Sequence, residues 1–312
     1  MFKRSKMLRK VLTAFVISLM LLSLVSSSVA VSNDEAKETE MISLSGKEQI
    51  YTVTYSEADI MKSLAKESSS SLSKRGYSAS DIALIKNYDT LFEEHIISLN
   101  AYTDENLLSV GYTSEQIDII RNFENLSPAL QNAYSNALAA NLTLTLSAKS
   151  PLTYVNGVNK ITLNYKYDWS RIPLMQFTDK LGLSWNNYNF IIDTSVHPNG
   201  IVPLKVNYRY VNGSSGTVKN VTASLHGYGI MYDISTKING GINTTLQFAD
   251  NAEGNLTLRY SGPDVDELAV KLEYAHVILP GGIGVSIGGY GAGFSYTPES
   301  RADVIWRNVI FS

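Results

Sequence analysis

The sequence contains no cysteine among its 312 residues. This absence excludes disulfide bonds, thiolate metal sites, a cysteine nucleophile and a lipid anchor attached through cysteine. A protein without these covalent or metal links is stabilised by its core alone, and a chain of this length can bury enough apolar surface for two modest domains.

Histidine is scarce, and the motifs that accompany enzymatic chemistry are missing. The four histidines, His95, His197, His226 and His276, lie at no metal-binding spacing. The sequence also lacks H-E-x-x-H, the G-x-S-x-G elbow, a phosphate-binding glycine loop and the dinucleotide fingerprint. These absences favour a non-catalytic protein. His276 lies on an alternating strand pattern, which predicts a hydrogen-bonded place in the core or at its rim.

The first thirty residues have the organisation of a secretory signal peptide. Five basic residues within positions 1–10 precede the apolar stretch Val11–Val25, and Ser26–Ala30 supplies the small residues that a signal peptidase reads. We expect cleavage after Ala30; the alternative is an uncleaved anchor. Both place the remainder outside the cytoplasm, and with cleavage we expect it to be secreted or held noncovalently on the wall. The polar residues 31–50 predict a flexible mature N-terminus.

The charge that remains without this leader is acidic. Its removal leaves 21 Lys and Arg against 29 Asp and Glu, a formal charge of −8. This balance argues against nucleic acid as a partner. It suits an extracellular protein whose partner is a cell-surface polysaccharide or another protein, and it leaves the oligomeric state open.

Residues 51–140 carry a repeated helix-start pattern. In each copy a Tyr precedes a Ser or Thr N-cap, a polar residue three positions on can complete a capping box, and an Ile or Leu can pack on the Tyr. The copies are Tyr55–Ile60, Tyr77–Ile82, Tyr102–Leu107 and Tyr112–Ile117. An aromatic ligand platform is the alternative explanation of these tyrosines.

A longer duplication lies within this region. Gly76–Leu91 matches Gly111–Leu126 at a spacing of 35 residues. This predicts two copies of a helical hairpin, with Gly76 and Gly111 in the left-handed conformation. We expect a bundle of four or five short helices. Its predicted core comprises Ile82, Leu84, Ile85 and Tyr88, with Ile117, Ile119, Ile120 and Phe123 in the second copy.

Residues 141–312 predict β-structure. In Lys160–Trp169 apolar residues alternate with the polar Thr162, Asn164, Lys166 and Asp168. Further strands are expected at Leu183–Ile192, Pro203–Val211, Thr217–Leu225, Ile242–Phe248, Leu256–Tyr260, Ala269–Leu279, Gly284–Tyr296 and Asp303–Phe311. Hairpin tips are expected at Asn212–Gly216, Asp250–Asn255 and Pro280–Gly282, and a short helical crossover at Ser170–Gly182. The predicted fold class is α+β: a helical bundle followed by an antiparallel β-sandwich or jelly roll.

Three segments of this β-region are candidate sites. Trp185, Asn186, Asn187 and Tyr188 combine aromatic rings with amides, as carbohydrate-binding surfaces do, although core packing is the rival explanation of Trp185 and of Trp169. Asp264, Asp266 and Glu267 could form a weak calcium site or, like Asp250 with Glu253, a pair of catalytic carboxylates. The glycine-rich Gly281–Gly293 has the alternation of a membrane-inserting hairpin; the alternative is a bulged strand against a sheet.

The stretch Tyr167–Trp185 (YDWSRIPLMQFTDKLGLSW), with the closing glycine-rich and Trp306-containing strands, resembles uncharacterised secreted proteins of Gram-positive bacilli and clostridia. The resemblance implies a bacterial origin and transfers no functional residue.

Together these features predict an exported, non-catalytic protein that binds a cell-surface or wall component through its β-domain. Two alternatives stay open: a membrane-active toxin or bacteriocin-like protein, and an extracellular carbohydrate-active hydrolase. No cofactor is expected apart from the calcium ion considered above.

Overall fold

A computed structural model describes residues 50–210, 214–239, 246–277, 285–287, 294–296 and 302–311. The predicted signal peptide, the segment 31–49 and most of the glycine-rich Gly281–Gly293 lie outside these residues, as do the expected tip Pro280–Gly282 and part of Asn212–Gly216. Cleavage, membrane insertion and the localisation of the protein therefore stay predictions.

The predicted α+β class is confirmed: a run of short helices precedes two antiparallel sheets. The helices of the described part are α1 (Glu57–Lys66), α2 (Ser69–Lys74), α3 (Ala79–Lys86), α4 (Tyr88–Ser98), α5 (Asp104–Ser109), α6 (Ser114–Asn122) and α7 (Pro128–Leu138). The strands are β1 (Ile50–Ser56), β2 (Asn141–Ala148), β3 (Thr153–Val155), β4 (Val158–Trp169), β5 (Thr178–Trp185), β6 (Ile191–Ile192), β7 (Pro203–Tyr210), β8 (Ser215–Thr222), β9 (Ser224–Leu225), β10 (Gly229–Ser235), β11 (Lys237–Asn239), β12 (Leu246–Ser261), β13 (Leu268–Val277), β14 (Val285–Ile287), β15 (Phe294–Tyr296) and β16 (Ala302–Phe311). No helix of these residues is long and apolar enough to cross a membrane.

The four predicted helix starts are confirmed by the capping contacts. Ser56, Ser78, Thr103 and Thr113 each accept a hydrogen bond from the backbone N–H three residues on, and Ser78 and Thr113 form complete capping boxes. Tyr112 is buried, and Tyr77 and Tyr102 pack half-buried on the helical core. These three tyrosines therefore serve packing, not an exposed platform.

The duplicated glycines also have the predicted conformation, with φ +88° at Gly76 and +98° at Gly111. The expected number of helices was too low, because the described part contains seven. The additional breaks follow local polar caps: Ser68, for example, caps the six-residue α2 through the N–H of Ser71.

A strand stands in front of the helices where the sequence predicted the helical region to begin. Residues Ile50–Ser56 pair antiparallel with Asn141–Ala148, so the helical segment is inserted between two neighbouring strands of one sheet. The chain therefore enters and leaves the helical segment at the same place.

The strands form two main sheets that share a core. Sheet 1 has the order β1-β2-β4-β12-β7-β8 with β3, β6 and β11 at its margins, and sheet 2 has the order β16-β13-β5-β10-β9. Buried side chains of both sheets belong to one apolar cluster, which includes Trp169 as predicted. The hydroxyls of Tyr165 in sheet 1 and Tyr232 in sheet 2 are hydrogen-bonded at 2.5 Å within it. The distinction between sandwich and jelly roll stays a prediction.

The expected hairpin tip at Asp250–Asn255 was wrong. These residues lie inside the sixteen-residue β12, which pairs with β4 on one side and β7 on the other. Asn, Asp and Gly favour turns locally, but pairing on both sides and the burial of Ala252 override that preference. Strand β10 was not predicted from the sequence.

The expected helical crossover at Ser170–Gly182 was also wrong. Residues 171–177 form no helix, and β5 begins at Thr178. Proline at position 173 opposes helix continuation, and Met175 instead packs into the helical core. The segment therefore connects the helical core to the sheets.

Candidate binding surface

The outer face of sheet 1 carries an unbroken row of polar side chains. Strand register places one residue from each of six adjacent strands side by side; in spatial order they are Thr52, Thr145, Lys166, Glu253, Lys205 and Asn220. Alternation along each strand points these side chains away from the core. A second row, from Thr54 to Val218, lies beside it and contains Asp168, Asn207 and Asn251.

This row forms the floor of an open groove of about 660 Å³. Ser147, Asn164 and Asn255 extend the floor toward the margin of the sheet, and Pro203 stands at its side. The groove presents hydroxyls, amides, two ammonium groups and one carboxylate. It is therefore equipped for hydrogen bonding to a polar ligand.

The charges of the groove alternate across three neighbouring strands. Lys205 Nζ lies 3.1 Å from Glu253 Oε1, with the side chains 51% and 65% exposed. An ion pair at such exposure contributes about 0–1 kcal/mol to stability. Lys166 is exposed and forms no ion pair with any described residue. The stability of the fold therefore does not explain why these three residues are charged.

The floor of the groove is backed by close packing. Gly254 faces the ring of Tyr165, and a Cβ at position 254 would lie 2.5 Å from it. Next to it, the pairing of β12 with β7 is interrupted by an extra residue, Asp250. Arg209 donates to Asp250 Oδ2 at 2.5 Å and to the carbonyl of Ser109, the last residue of α5, at 2.7 Å.

A second polar cluster is fully buried between the helices and sheet 2. His276 Nδ1 lies 3.0 Å from Asp179 Oδ2, and its Nε2 lies 3.5 Å from Glu57 Oε2 at the start of α1. The Asp179 carboxylate also accepts hydrogen bonds from the Tyr274 hydroxyl and the Val277 N–H. His276 thus has the hydrogen-bonded core position that the sequence predicted.

The environment of His276 favours its charged form. Burial has the largest single effect and lowers the pKa, but Asp179 and Glu57 together outweigh it and raise the pKa of His276 to about 10. Because all three side chains are buried away from solvent, we interpret the cluster as a structural charge network.

Serine, histidine and aspartate also meet in the loop before β7, without forming a catalytic triad. Ser195 Oγ donates to Asp193 Oδ1 at 2.6 Å. His197 Nε2 accepts the N–H of Thr257 at 3.0 Å, so the nitrogen that would act as a base is occupied. Burial raises the pKa of Asp193, but hydrogen bonds from Lys160 and Ser195 outweigh it and hold the pKa at about 2.

The residues predicted to bind a ligand do lie together, except that Trp185 faces inward. Trp185 is 4% exposed and donates its indole N–H to the carbonyl of Phe190. Asn186, Asn187 and the exposed Tyr188 border a shallow pocket with Glu267. The rival explanation, core packing, therefore holds for Trp185, and carbohydrate binding by the other three stays a prediction.

Calcium binding by Asp264, Asp266 and Glu267 stays a prediction. Among the described residues, which include these three, no group of three or more His, Asp or Glu side chains lies in a metal-binding arrangement. Glu267 instead lies beside Asn186. The predicted carboxylate pair is also changed, since Asp250 is buried against Arg209 while Glu253 is exposed on the outer face.

Sequence reasoning missed the row itself. It identified Lys166 as polar and outward-facing on β4 and considered Glu253 only as a loop carboxylate. The signal that could have found the row is the alternation of Asn251, Glu253 and Asn255 with Ala252 and Gly254, which is the pattern of a half-buried strand.

The sequence matches no protein-family model and no curated protein. Solved structures match this chain only with low TM-scores. The KRT10-binding region domain of the pneumococcal serine-rich repeat protein PsrP is 10% identical with a TM-score of 0.21, over 44% of this chain and 79% of that one. AvmM, which catalyses macrocyclization in alchivemycin A biosynthesis, is 10% identical with a TM-score of 0.21, over 55% and 87%. The membrane-inserted form of the Clostridium perfringens NetB toxin is 10% identical with a TM-score of 0.20, over 55% and 89%. Scores this low assign neither a fold nor a function.

Proposed function

We propose that this protein is exported and non-catalytic, and that the outer face of sheet 1 binds a component of the cell surface or wall. The observation that carries the proposal is the six-strand polar row, whose charges lie exposed in a groove and contribute little to folding. The leader-like N-terminus supports export.

The proposal requires that a bulky side chain in the groove blocks binding. Asn220 lines the groove, whereas Thr217, an exposed residue of the same strand, does not. We expect Asn220→Trp to weaken cosedimentation of the purified protein with isolated Gram-positive cell walls by about tenfold or more. Thr217→Trp is the matched control and should bind as the unchanged protein does.

Two results would overturn the proposal. One is an unchanged protein that stays in the supernatant with walls, above all if it releases dye from liposomes. The other is equal wall binding by both tryptophan variants, which would remove the groove from the interaction. Far-UV circular dichroism establishes that both variants are folded.

A further inference from the structure

The shallow pocket beside Tyr188 lies where three neighbouring strands of sheet 2 begin or end. Trp185, the last residue of β5, is paired with Val270 of β13 on one side. Ser184 is paired on the other side with Gly229, the first residue of β10. Antiparallel pairing therefore brings together the residues just beyond these strand ends. They are Glu267 before β13, Asn186–Asn189 after β5 and Tyr228 before β10.

Two amides of this pocket are held as hydrogen-bond donors. Asn186 Oδ1 accepts the backbone N–H of Ala269 at 3.0 Å, and Asn187 Oδ1 accepts the N–H of Asn189 at 3.0 Å. With each oxygen engaged by the backbone, the NH2 group of each side chain is the part that can bind a ligand. Neither NH2 group donates to a residue that the structure describes. The pocket therefore offers two positioned donors.

Glu267 adds an acceptor with a negative charge. It is exposed and forms no ion pair with any described residue, and the lining of the pocket includes no cationic side chain. A carboxylate accepts hydrogen bonds from hydroxyl groups and repels an anionic ligand. A metal ion is also disfavoured, because the side-chain oxygens of Asn186 and Asn187 are already occupied. These groups suit a neutral ligand that both donates and accepts hydrogen bonds.

Tyr188 gives the pocket an aromatic face. It is 54% exposed, and its ring centroid lies 6.3 Å from that of Tyr228, with 57° between the ring planes. An aromatic face packs against the apolar C–H groups of a sugar ring while polar neighbours bind its hydroxyls. A lipid surface would also accept an exposed tyrosine. Insertion would, however, remove the Glu267 carboxylate and two amides from water without partners, which is costly.

We propose that this pocket binds a neutral pyranose ring of an oligosaccharide. The ring stacks on Tyr188, and its oxygens accept hydrogen bonds from the NH2 groups of Asn186 and Asn187. Glu267 accepts a hydrogen bond from a further hydroxyl. The site is separate from the groove of sheet 1 and does not depend on the function proposed for that groove.

Isothermal titration calorimetry with cellohexaose and with maltohexaose tests the site, and hexagalacturonate serves as the anionic counterpart. We expect the purified protein to bind at least one neutral hexasaccharide about tenfold or more tightly than hexagalacturonate. Tyr188→Ala should weaken this binding by about tenfold or more, because the stacking surface is lost. Tyr188→Phe keeps the ring and should weaken it far less. Glu267→Gln removes the charge and should narrow the preference for the neutral ligand.

The variant Asn220→Trp separates this inference from the proposed function. It blocks the groove of sheet 1 and should leave oligosaccharide binding unchanged, which supports an independent site. Three results would overturn the inference: no binding of either neutral hexasaccharide, equal affinity for hexagalacturonate, or equal binding by Tyr188→Ala and the unchanged protein. Cosedimentation with phosphatidylcholine vesicles that depends on Tyr188, in place of oligosaccharide binding, would assign the pocket to a lipid surface and overturn it as well.

Discussion

At the scale of single residues, the buried His276 cluster makes stability depend on the charge of one side chain. A histidine and two carboxylates, Asp179 and Glu57, are removed from water together where the helices meet sheet 2. The attraction between His276 and the two carboxylates offsets their loss of hydration only while His276 is charged. Without that charge, both carboxylates would lie close together with no cation between them.

This arrangement predicts a stability that depends on the charge of His276. Its pKa of about 10 in the folded protein exceeds the value of about 6.5 in an unfolded chain. The resulting stabilisation is complete below about pH 6.5 and is lost as the pH rises toward 10. We expect the free energy of unfolding, measured in urea, to decrease steadily from pH 7 to 9.5.

Substitution of His276 should abolish this slope, the decrease of the free energy of unfolding with rising pH. Removing one partner of a buried charge network costs about 3–5 kcal/mol, so His276→Gln should be strongly destabilised and nearly independent of pH over the same range. His226→Gln, at a half-buried histidine of β9–β10, is the control and should keep the slope. The prediction would be contradicted if the free energy of unfolding of the unchanged protein did not vary between pH 7 and 9.5. Measurements stop at pH 9.5 because tyrosines in the unfolded chain, whose pKa is about 10, ionise above it.

At the scale of elements, the helices and strands differed in how well sequence predicted them. Helix starts were found because a cap is a local contact: Ser78 and Asp81 satisfy each other within four residues. The course of β12 was not found, because Asp250–Asn255 has turn composition and is held extended by partners about 45–90 residues away in sequence.

The two equivalent glycines of the helical duplication allow a matched test of how the helices are fastened. Both have a left-handed backbone, but a Cβ at Gly111 would lie 2.0 Å from the carbonyl oxygen of Ser170. We expect Gly111→Ala to lower the midpoint of urea unfolding more than Gly76→Ala, which introduces the left-handed strain of about 1–2 kcal/mol. An equal decrease of the urea midpoint in the two variants would show that contact with Ser170 does not constrain position 111.

At the scale of the whole molecule, helices and sheets form one compact unit from Ser45 to Ser312. Arg209 and Asp250 join sheet 1 to the end of α5, and Glu57 joins α1 to sheet 2. The sequence predicted a helical region and a β-region, but the contacts between them depend on side chains about 100 to 220 residues apart and have no local signature.

These contacts predict cooperative unfolding. All three tryptophans, at positions 169, 185 and 306, belong to the β-region, so tryptophan fluorescence reports the sheets, and circular dichroism at 222 nm reports the helices strongly. We expect the two transitions to coincide in urea. In the Arg209→Ala variant, the circular dichroism transition should occur at a lower urea concentration than the fluorescence transition. Separate transitions in the unchanged protein would contradict one cooperative unit.

The central position of β12 has a consequence for how binding could diversify. Its residues Ala252 and Leu256 are buried in the core, while Asn251, Glu253 and Asn255 are directed outward and are free of that packing. Substitutions at the three outward positions would change the binding proposed for this face while the fold is kept. A library restricted to them would therefore sample new specificities on an unaltered scaffold, which makes this strand a natural starting point for directed evolution.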